Sequence, residues 1–169
     1  MSKAFTRESD DAPEQPLLRA PAMLPPGVKN YVTPAGARQM RELLDQLIQV
    51  ERPRTAALAD VAEVKRQLQL IDQRLAVLEQ SLRTGEIVPP PTPPWEQVRF
   101  GASVTVRDRS GIETCYRIVG VDETDLDRDW VSWRSPVAKA LLNARLGQRV
   151  RFHVPAGEQE LEITGIRYE

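Results

Sequence analysis

Two carboxylates three residues apart, Asp60 and Glu63, are the side chains of this chain best spaced for chemistry. On a helix an i,i+3 pair lies on one side, which is what two acids need in order to share a divalent cation. The same spacing also starts a helix. An Asp at the cap position with an acid three residues later satisfies free backbone N–H groups and suits the positive end of the helix dipole. Both readings of the pair are open at the level of sequence, so Asp60 and Glu63 stand as weak metal candidates and no metal ligand is assigned. Asp125, Asp127 and Asp129 alternate like the opening of a calcium loop. The sixth loop position is Trp130 rather than Gly and the twelfth is Pro136 rather than Glu, so the run reads as an acidic surface turn. Cys115 and His153 each occur once, which leaves neither a disulfide framework nor a zinc cluster. Beside Tyr116, Cys115 reads as a small core residue, and His153, in a strand-like run, reads as structural. No Ser/His/Asp constellation and no glycine-rich phosphate loop is present. The sequence therefore points to a chain with no catalytic residue and no cofactor, which is not itself an enzyme.

Charge narrows the partners. Twenty-three Lys and Arg stand against 24 Asp and Glu, a net charge of −1, which argues against a general nucleic-acid binder. Residues 33–88 carry eight basic and eight acidic side chains, so no uniform field steers that region to phosphates. Trp130 and Trp133 are spaced i,i+3, which puts them on opposite faces of a strand, one toward the core and one toward the surface. No stretch approaches the roughly 18 apolar residues of a membrane span, and the N-terminus has no apolar signal region. The chain reads as cytoplasmic, without a membrane partner.

The elements that would position these residues follow from periodicity. Residues 1–30 are polar and punctuated by Pro13, Pro16, Pro21, Pro25 and Pro26, which predicts a disordered arm. Thr33 then reads as an N-cap with Pro34 at the first helical position. Ala37, Met40, Leu44 and Leu47 mark the apolar face of a first helical arm that runs to about Ala57, with Pro53 kinking it or removing a turn of hydrogen bonding. Val61, Val64, Leu68, Ile71, Leu75, Leu78 and Leu82 form an unbroken seam at alternating steps of three and four, the spacing of a coiled coil. This second arm runs from about Asp60 to Thr84 and stops at Gly85 as a C′ residue. Matched arms predict an antiparallel coiled-coil hairpin over 31–88. A stiff proline-rich linker follows over 89–97. In 98–169 the period changes to two, with short strands at 102–107, 115–121, 130–133, 149–154 and 161–168. One helix interrupts them, capped by Ser135, begun by Pro136, striped by Val137, Ala140, Leu141 and Ala144, and stopped by Gly147. The fold class is α+β: a helical hairpin joined to a small, mostly antiparallel sheet with one helix.

Tyr31-Val32-Thr33-Pro34-Ala35-Gly36, Glu51-Arg52-Pro53, Ile71-Asp72-Gln73-Arg74, Tyr116-Arg117-Ile118-Val119-Gly120, Ser135-Pro136-Val137-Ala138-Lys139-Ala140-Leu141-Leu142 and Pro155-Ala156-Gly157-Glu158 occur in an order that resembles the bacterial Gre transcript-cleavage factors, the GreB branch especially. The resemblance spans about residues 30–169. It implies an FKBP-like C-terminal domain docked at the rim of the RNA polymerase secondary channel, and a coiled coil pushed down that channel. Two tip acids would then help hold magnesium at the polymerase active site, and contact with RNA or DNA would come only through the elongation complex. The docking residues it implies are Arg134, Ser135, Pro136, Val137 and Lys139, although Arg134 stands where the family often has Asp or Asn. A larger departure lies between Glu51-Arg52-Pro53 and Lys65-Arg66-Gln67-Leu68, where roughly a dozen family residues are missing, about 9–10 Å of reach at 1.5 Å per residue. Carboxylate assistance to a metal acts over about 2–3 Å. The resemblance thus implies a channel binder that does not stimulate cleavage. Alternatives are an active cleavage-stimulating factor using Asp60 and Glu63, or a regulator of nucleoside diphosphate kinase, as shortened relatives are named.

Overall fold

The computed structural model describes residues 24–169, so the arm expected over 1–30 falls mostly outside the described residues. Its last part does not match the expectation of disorder. Val28 N–H donates to Pro25 O at 3.1 Å, and Asn30–Val32 already form a strand, β1.

Thr33 caps helix α1 (Pro34–Gln46): its hydroxyl accepts from Gly36 N at 2.9 Å, with Pro34 at the first helical position. The first arm then departs from a simple α-helix. Leu47–Glu51 wind as a π-segment in which Arg52 N–H reaches back five residues to Leu47 O, and α2 (Arg52–Ala56) completes the arm. The proline explains the change of winding. The Pro53 ring opposes the carbonyl of residue 49 and offers no N–H, and widening the preceding turn relieves both conflicts. One extra residue in a turn also rotates everything after it by about 100° at 3.6 residues per turn. Leu47 is fully buried, whereas Ile48 and Val50 face solvent.

After a short turn, α3 (Val61–Thr84) returns alongside the first arm. Val32, Ala37 and Met40 pack with Leu78 and Leu82, while Leu47 packs with Ile71 and Leu75. Rising numbers on one arm meet falling numbers on the other, so the arms are antiparallel. Arg52–Asp72 (3.4 Å) and Arg74–Glu51 (3.9 Å) bridge them at the surface. The seam is used unevenly. Ile71 and Leu75 are buried, but Val61, where the seam begins, is 82% exposed. The π-segment has turned the first arm out of phase, so the outer third of the seam meets no matching apolar face.

Gly85 is not the left-handed residue expected after α3; its φ is −67° and it opens strand β2 (Gly85–Ile87). It is glycine because a Cβ would lie 2.8 Å from Ser81 O and 3.1 Å from a Val32 methyl. Here β2 runs parallel to β1 and ties the two ends of the hairpin together.

The C-terminal half is a five-stranded sheet of order β5-β4-β3-β7-β6, built from β3 (Ser103–Asp108), β4 (Glu113–Val119), β5 (Trp130–Ser132), β6 (Arg149–Val154) and β7 (Gly157–Arg167). All pairs are antiparallel except β4 with β5. Helix α4 (Pro136–Leu141) covers one face, burying Ala138 and Leu141 on Val98, Ala102, Val104, Val106, Ile118 and Ile163. The β3–β7 register shifts between Thr105 and Val106, leaving Thr164 as an extra residue. That bulge reverses the side-chain alternation, so Leu161 and Ile163 before it and Ile166 and Tyr168 after it all reach the core.

Other expectations are corrected. Helix α4 ends at Leu141 rather than Gly147, because Asn143 turns the chain at φ +68°. Ala144 is buried, but beyond the helix, with its carbonyl accepting from Val98 N. Cys115 is exposed, since alternation along β4 gives the inward positions to Tyr116 and Ile118. The His153 side chain is 85% exposed on edge strand β6, with Nε2 4.0 Å from Glu158. Within 89–97, Trp95 folds onto the sheet core and its Nε1 donates to Pro91 O at 3.0 Å.

Truncating Leu47 should therefore loosen the whole hairpin. We expect Leu47→Ala to cost about 2–5 kcal/mol and Val61→Ala to stay within about 0.5 kcal/mol, as read by denaturant unfolding followed through the helical circular-dichroism signal.

Candidate functional site

Two places carry the residues that the sequence singled out: the hairpin tip and the loop leading into α4. At the tip, Asp60 has extended backbone (φ −82°, ψ 106°), and its Oδ1 accepts from Ala62 N at 3.0 Å and Glu63 N at 3.2 Å. It is the N-cap of α3. Glu63 does not reach back to complete a capping box. Its carboxylate points along the helix, where Arg66 grips both oxygens (Nη2 to Oε1 2.6 Å, Nε to Oε2 3.0 Å) and Gln67 Nε2 donates to Oε1 at 2.6 Å. The hydrogen bonds from Arg66 and then Gln67 hold the Glu63 carboxyl below the usual glutamate range.

This donor set does not suit a divalent cation. One acid turns onto the first amides of α3, and the other is clasped by a guanidinium that would repel a metal. Among the described residues no group of three or more His, Cys, Asp or Glu is placed to hold a metal ion. Apolar side chains are also exposed in this region. Ile48, Val50, Leu58 and Val61 are exposed at the outer end of the hairpin, and Val61, Val64 and Leu68 line an open trough along α3 with Lys65, Gln69 and Asp72.

At the second place Ser135 caps α4. Its Oγ accepts from Ala138 N at 3.2 Å, its N–H donates to Ser132 O at 2.9 Å, and its carbonyl accepts from Lys139 N at 2.9 Å. Arg134 N–H donates to Ser132 Oγ at 3.2 Å, so the approach to the helix is a tight turn tied by its own backbone and hydroxyl groups. Pro136 and Lys139 face solvent, Arg134 and Ser135 are half-buried, and Val137 leans on the sheet core. Among the described residues neither Arg134 nor Lys139 takes part in an ion pair, whereas Arg107, Arg109, Arg149 and Arg151 on the sheet each sit against a glutamate. The two tryptophans divide as their spacing suggests. Trp133 packs on the core and edge-on to Tyr31 at 5.3 Å, while Trp130 carries the Arg117 and Arg128 guanidiniums over its ring.

A third cluster was missed from sequence. The Glu123 carboxylate, in the 3-10 turn Val121–Glu123 after β4, accepts from Thr33 N at 3.0 Å and Gly120 N at 2.9 Å through Oε2, and from the Thr33 hydroxyl through Oε1. It joins the base of the hairpin to the sheet. Gly36 in the first turn of a helix and Gly120 before Val-Asp-Glu were the available signals, because glycine marks places where backbone is closely approached.

The match to known proteins covers both halves. A family model described as "Transcription elongation factor, GreA/GreB, C-term" matches residues 92–168. The chain is 34% identical over 154 residues to transcription elongation factor GreB of Neisseria meningitidis serogroup A, covering 83% of this chain and 94% of that protein. It is 36% identical over 160 residues to GreB of Xanthomonas axonopodis pv. citri, covering 85% and 95%. With GreA of Alkalilimnicola ehrlichii it shares 35% over 152 residues, covering 81% and 96%. A solved GreA/GreB factor from Nitrosomonas europaea is 22% identical with a TM-score of 0.42, covering 83% of this chain and 99% of that one. In the Neisseria comparison, 83% of this 169-residue chain is about 140 residues against 154 aligned, so this chain lacks about 14 positions that the relative has.

The cap geometry predicts that Asp60→Ala costs about 1 kcal/mol of stability and frays the first turn of α3, measurable by amide exchange. A carboxyl titration followed by NMR should place Glu63 below the usual glutamate value, and Arg66→Ala should return it. A depressed folded-state value means that the Glu63 contribution is present at neutral pH and is lost as the pH falls through that value.

Proposed function

Because the chain belongs to the GreA/GreB family of transcription elongation factors, we propose that it regulates transcription by docking on RNA polymerase and occupying the secondary channel without stimulating transcript cleavage. The observation that carries this reading is the tip. Its two acids are engaged within α3, one as a cap and one with Arg66 and Gln67, and Leu58 and Val61 beside them in the chain are exposed apolar side chains. The positions that this chain lacks relative to its relatives fit a finger shortened between Pro53 and Lys65, where the family's acid-bearing segment would lie. A coiled-coil finger of this kind acts by filling space and touching apolar walls, not by lending oxygen ligands, and the chain itself catalyses nothing.

The C-terminal domain supplies the grip. Arg134 and Lys139 flank the Ser135–Pro136 turn as cations without an acidic partner among the described residues, and the capped turn fixes the backbone that carries them. That arrangement suits an acidic rim on the polymerase, with Pro136 and Val137 adding apolar contact between the charges. Complementary charge of this type sets the association rate and the docking register more than the total affinity.

Cleavage of backtracked elongation complexes tests the reading directly. With saturating protein, RNA lengths should stay unchanged, and the protein should compete with a cleavage-stimulating Gre factor when the two are mixed. Shortened RNA would instead favour the active-factor reading, and failure to bind core polymerase would remove channel occupancy altogether. We expect the double change Arg134→Glu and Lys139→Glu to weaken polymerase binding about tenfold or more, corresponding to about 1.4 kcal/mol or above, in a pull-down titration.

A further inference from the structure

The junction between hairpin and sheet is built around one side chain. Glu123 Oε2 accepts two backbone N–H groups from different halves of the molecule, Thr33 on the hairpin side and Gly120 on the sheet side. Its Oε1 accepts from the Thr33 hydroxyl, which in turn accepts from Gly36 N at 2.9 Å. The carboxylate thus sits at the N-terminal end of α1, where the unpaired amides and the helix dipole favour negative charge. Among the described residues no cation forms an ion pair with it, so the charge is held by these donors alone.

Two glycines make room for it. A Cβ on Gly36 would overlap Glu123 Oε1, and a Cβ on Gly120 would overlap the Tyr31 carbonyl and lie 2.6 Å from Glu123 Oε2. Beside the carboxylate, the Tyr31 ring wedges between Phe100 (5.7 Å) and Trp133 (5.3 Å), which gives the junction a non-directional apolar contact. Aromatic contact by itself lets one body roll on the other. The carboxylate removes that freedom, because its donors lie at fixed angles on both bodies.

We infer that Glu123 is a positioning residue which locks the direction of the helical hairpin relative to the C-terminal sheet domain, by holding Thr33, the cap residue of α1, from across the junction. The lock works through hydrogen-bond geometry rather than through bulk. Glutamine keeps most of it: its carbonyl accepts from Thr33 and Gly120, and its amide donates to the Thr33 hydroxyl. Alanine keeps none of it. The consequence for polymerase occupancy rests on the channel-binding reading above; the lock itself does not, and is measured in the free protein.

The chain's sole cysteine, Cys115, is exposed on β4, and Ala59 lies exposed in the hairpin turn. Spin labels at Cys115 and Ala59→Cys report the direction of the finger as a distance distribution. The parent should give one narrow distribution. Glu123→Ala should broaden or shift it, with helical circular dichroism unchanged, and Glu123→Gln should stay close to the parent. Gly36→Ala, which pushes the carboxylate out from the other side, serves as a second variant if Glu123→Ala does not fold, and should broaden the distribution in the same way. A distribution that matches the parent's in both width and position in the folded Ala variant, or a Gln variant as disturbed as Ala, would overturn the inference. If the lock holds but no variant changes polymerase binding, the failure lies with the channel reading and not with Glu123.

Discussion

One carboxylate connects the two halves of this molecule. Two of the three donors around Glu123 are the backbone N–H and the hydroxyl of Thr33, the cap residue of α1, and the third is the N–H of Gly120 just after β4, so the first turn of the hairpin is shared with the sheet domain. Hydrogen bonds to a charged group contribute about 1.5–3 kcal/mol each, roughly twice a neutral one. They also need close approach, which is why two of the positions touching the carboxylate are glycine. The direction of the finger, and therefore what its tip can meet, depends on this contact before it depends on anything at the tip.

The second constraint is a mismatch of period. Pro53 compels a wider turn before it, the wider turn rotates the rest of the first arm, and the apolar face of that arm loses its alignment with α3 beyond Leu47. The inner part of the hairpin is a packed two-helix core. Its outer part leaves Val61 and Leu58 exposed, with two acids tied to their own helix. Geometry rather than composition thus decides what the finger can do. The acid spacing of Asp60 and Glu63 is compatible with a shared cation, but their hydrogen-bond partners direct them apart.

Much of the fold was legible in residue order. The Thr33 and Ser135 caps, the prolines after them and the alternation in β3 each follow from short-range rules that act within a turn or a strand. Other features depend on what lies across the fold. Cys115 looked like a core residue beside an aromatic, yet the parity of β4 is set by Tyr116 and Ile118 meeting the core, which puts Cys115 outside. Gly147 resembles a helix stop, but the chain leaves α4 two residues after Leu141 because Ala144 O and Asn143 N pair with Val98. Neither pairing has a local signature.

The sequence by itself determined the two helical arms, the short strands, the caps and the capacity of Asp60 to start a helix, since all of these depend on neighbours within about four residues. Tertiary structure alone decided that the seam from Val61 to Leu82 is buried only in its inner part, that the Thr164 bulge turns Ile166 and Tyr168 inward, and that Glu123 holds α1 from ninety residues away. The physical reason is common to all three. Each depends on the relative placement of segments distant in the chain, and a one-residue change of phase in either partner reverses which side chains meet.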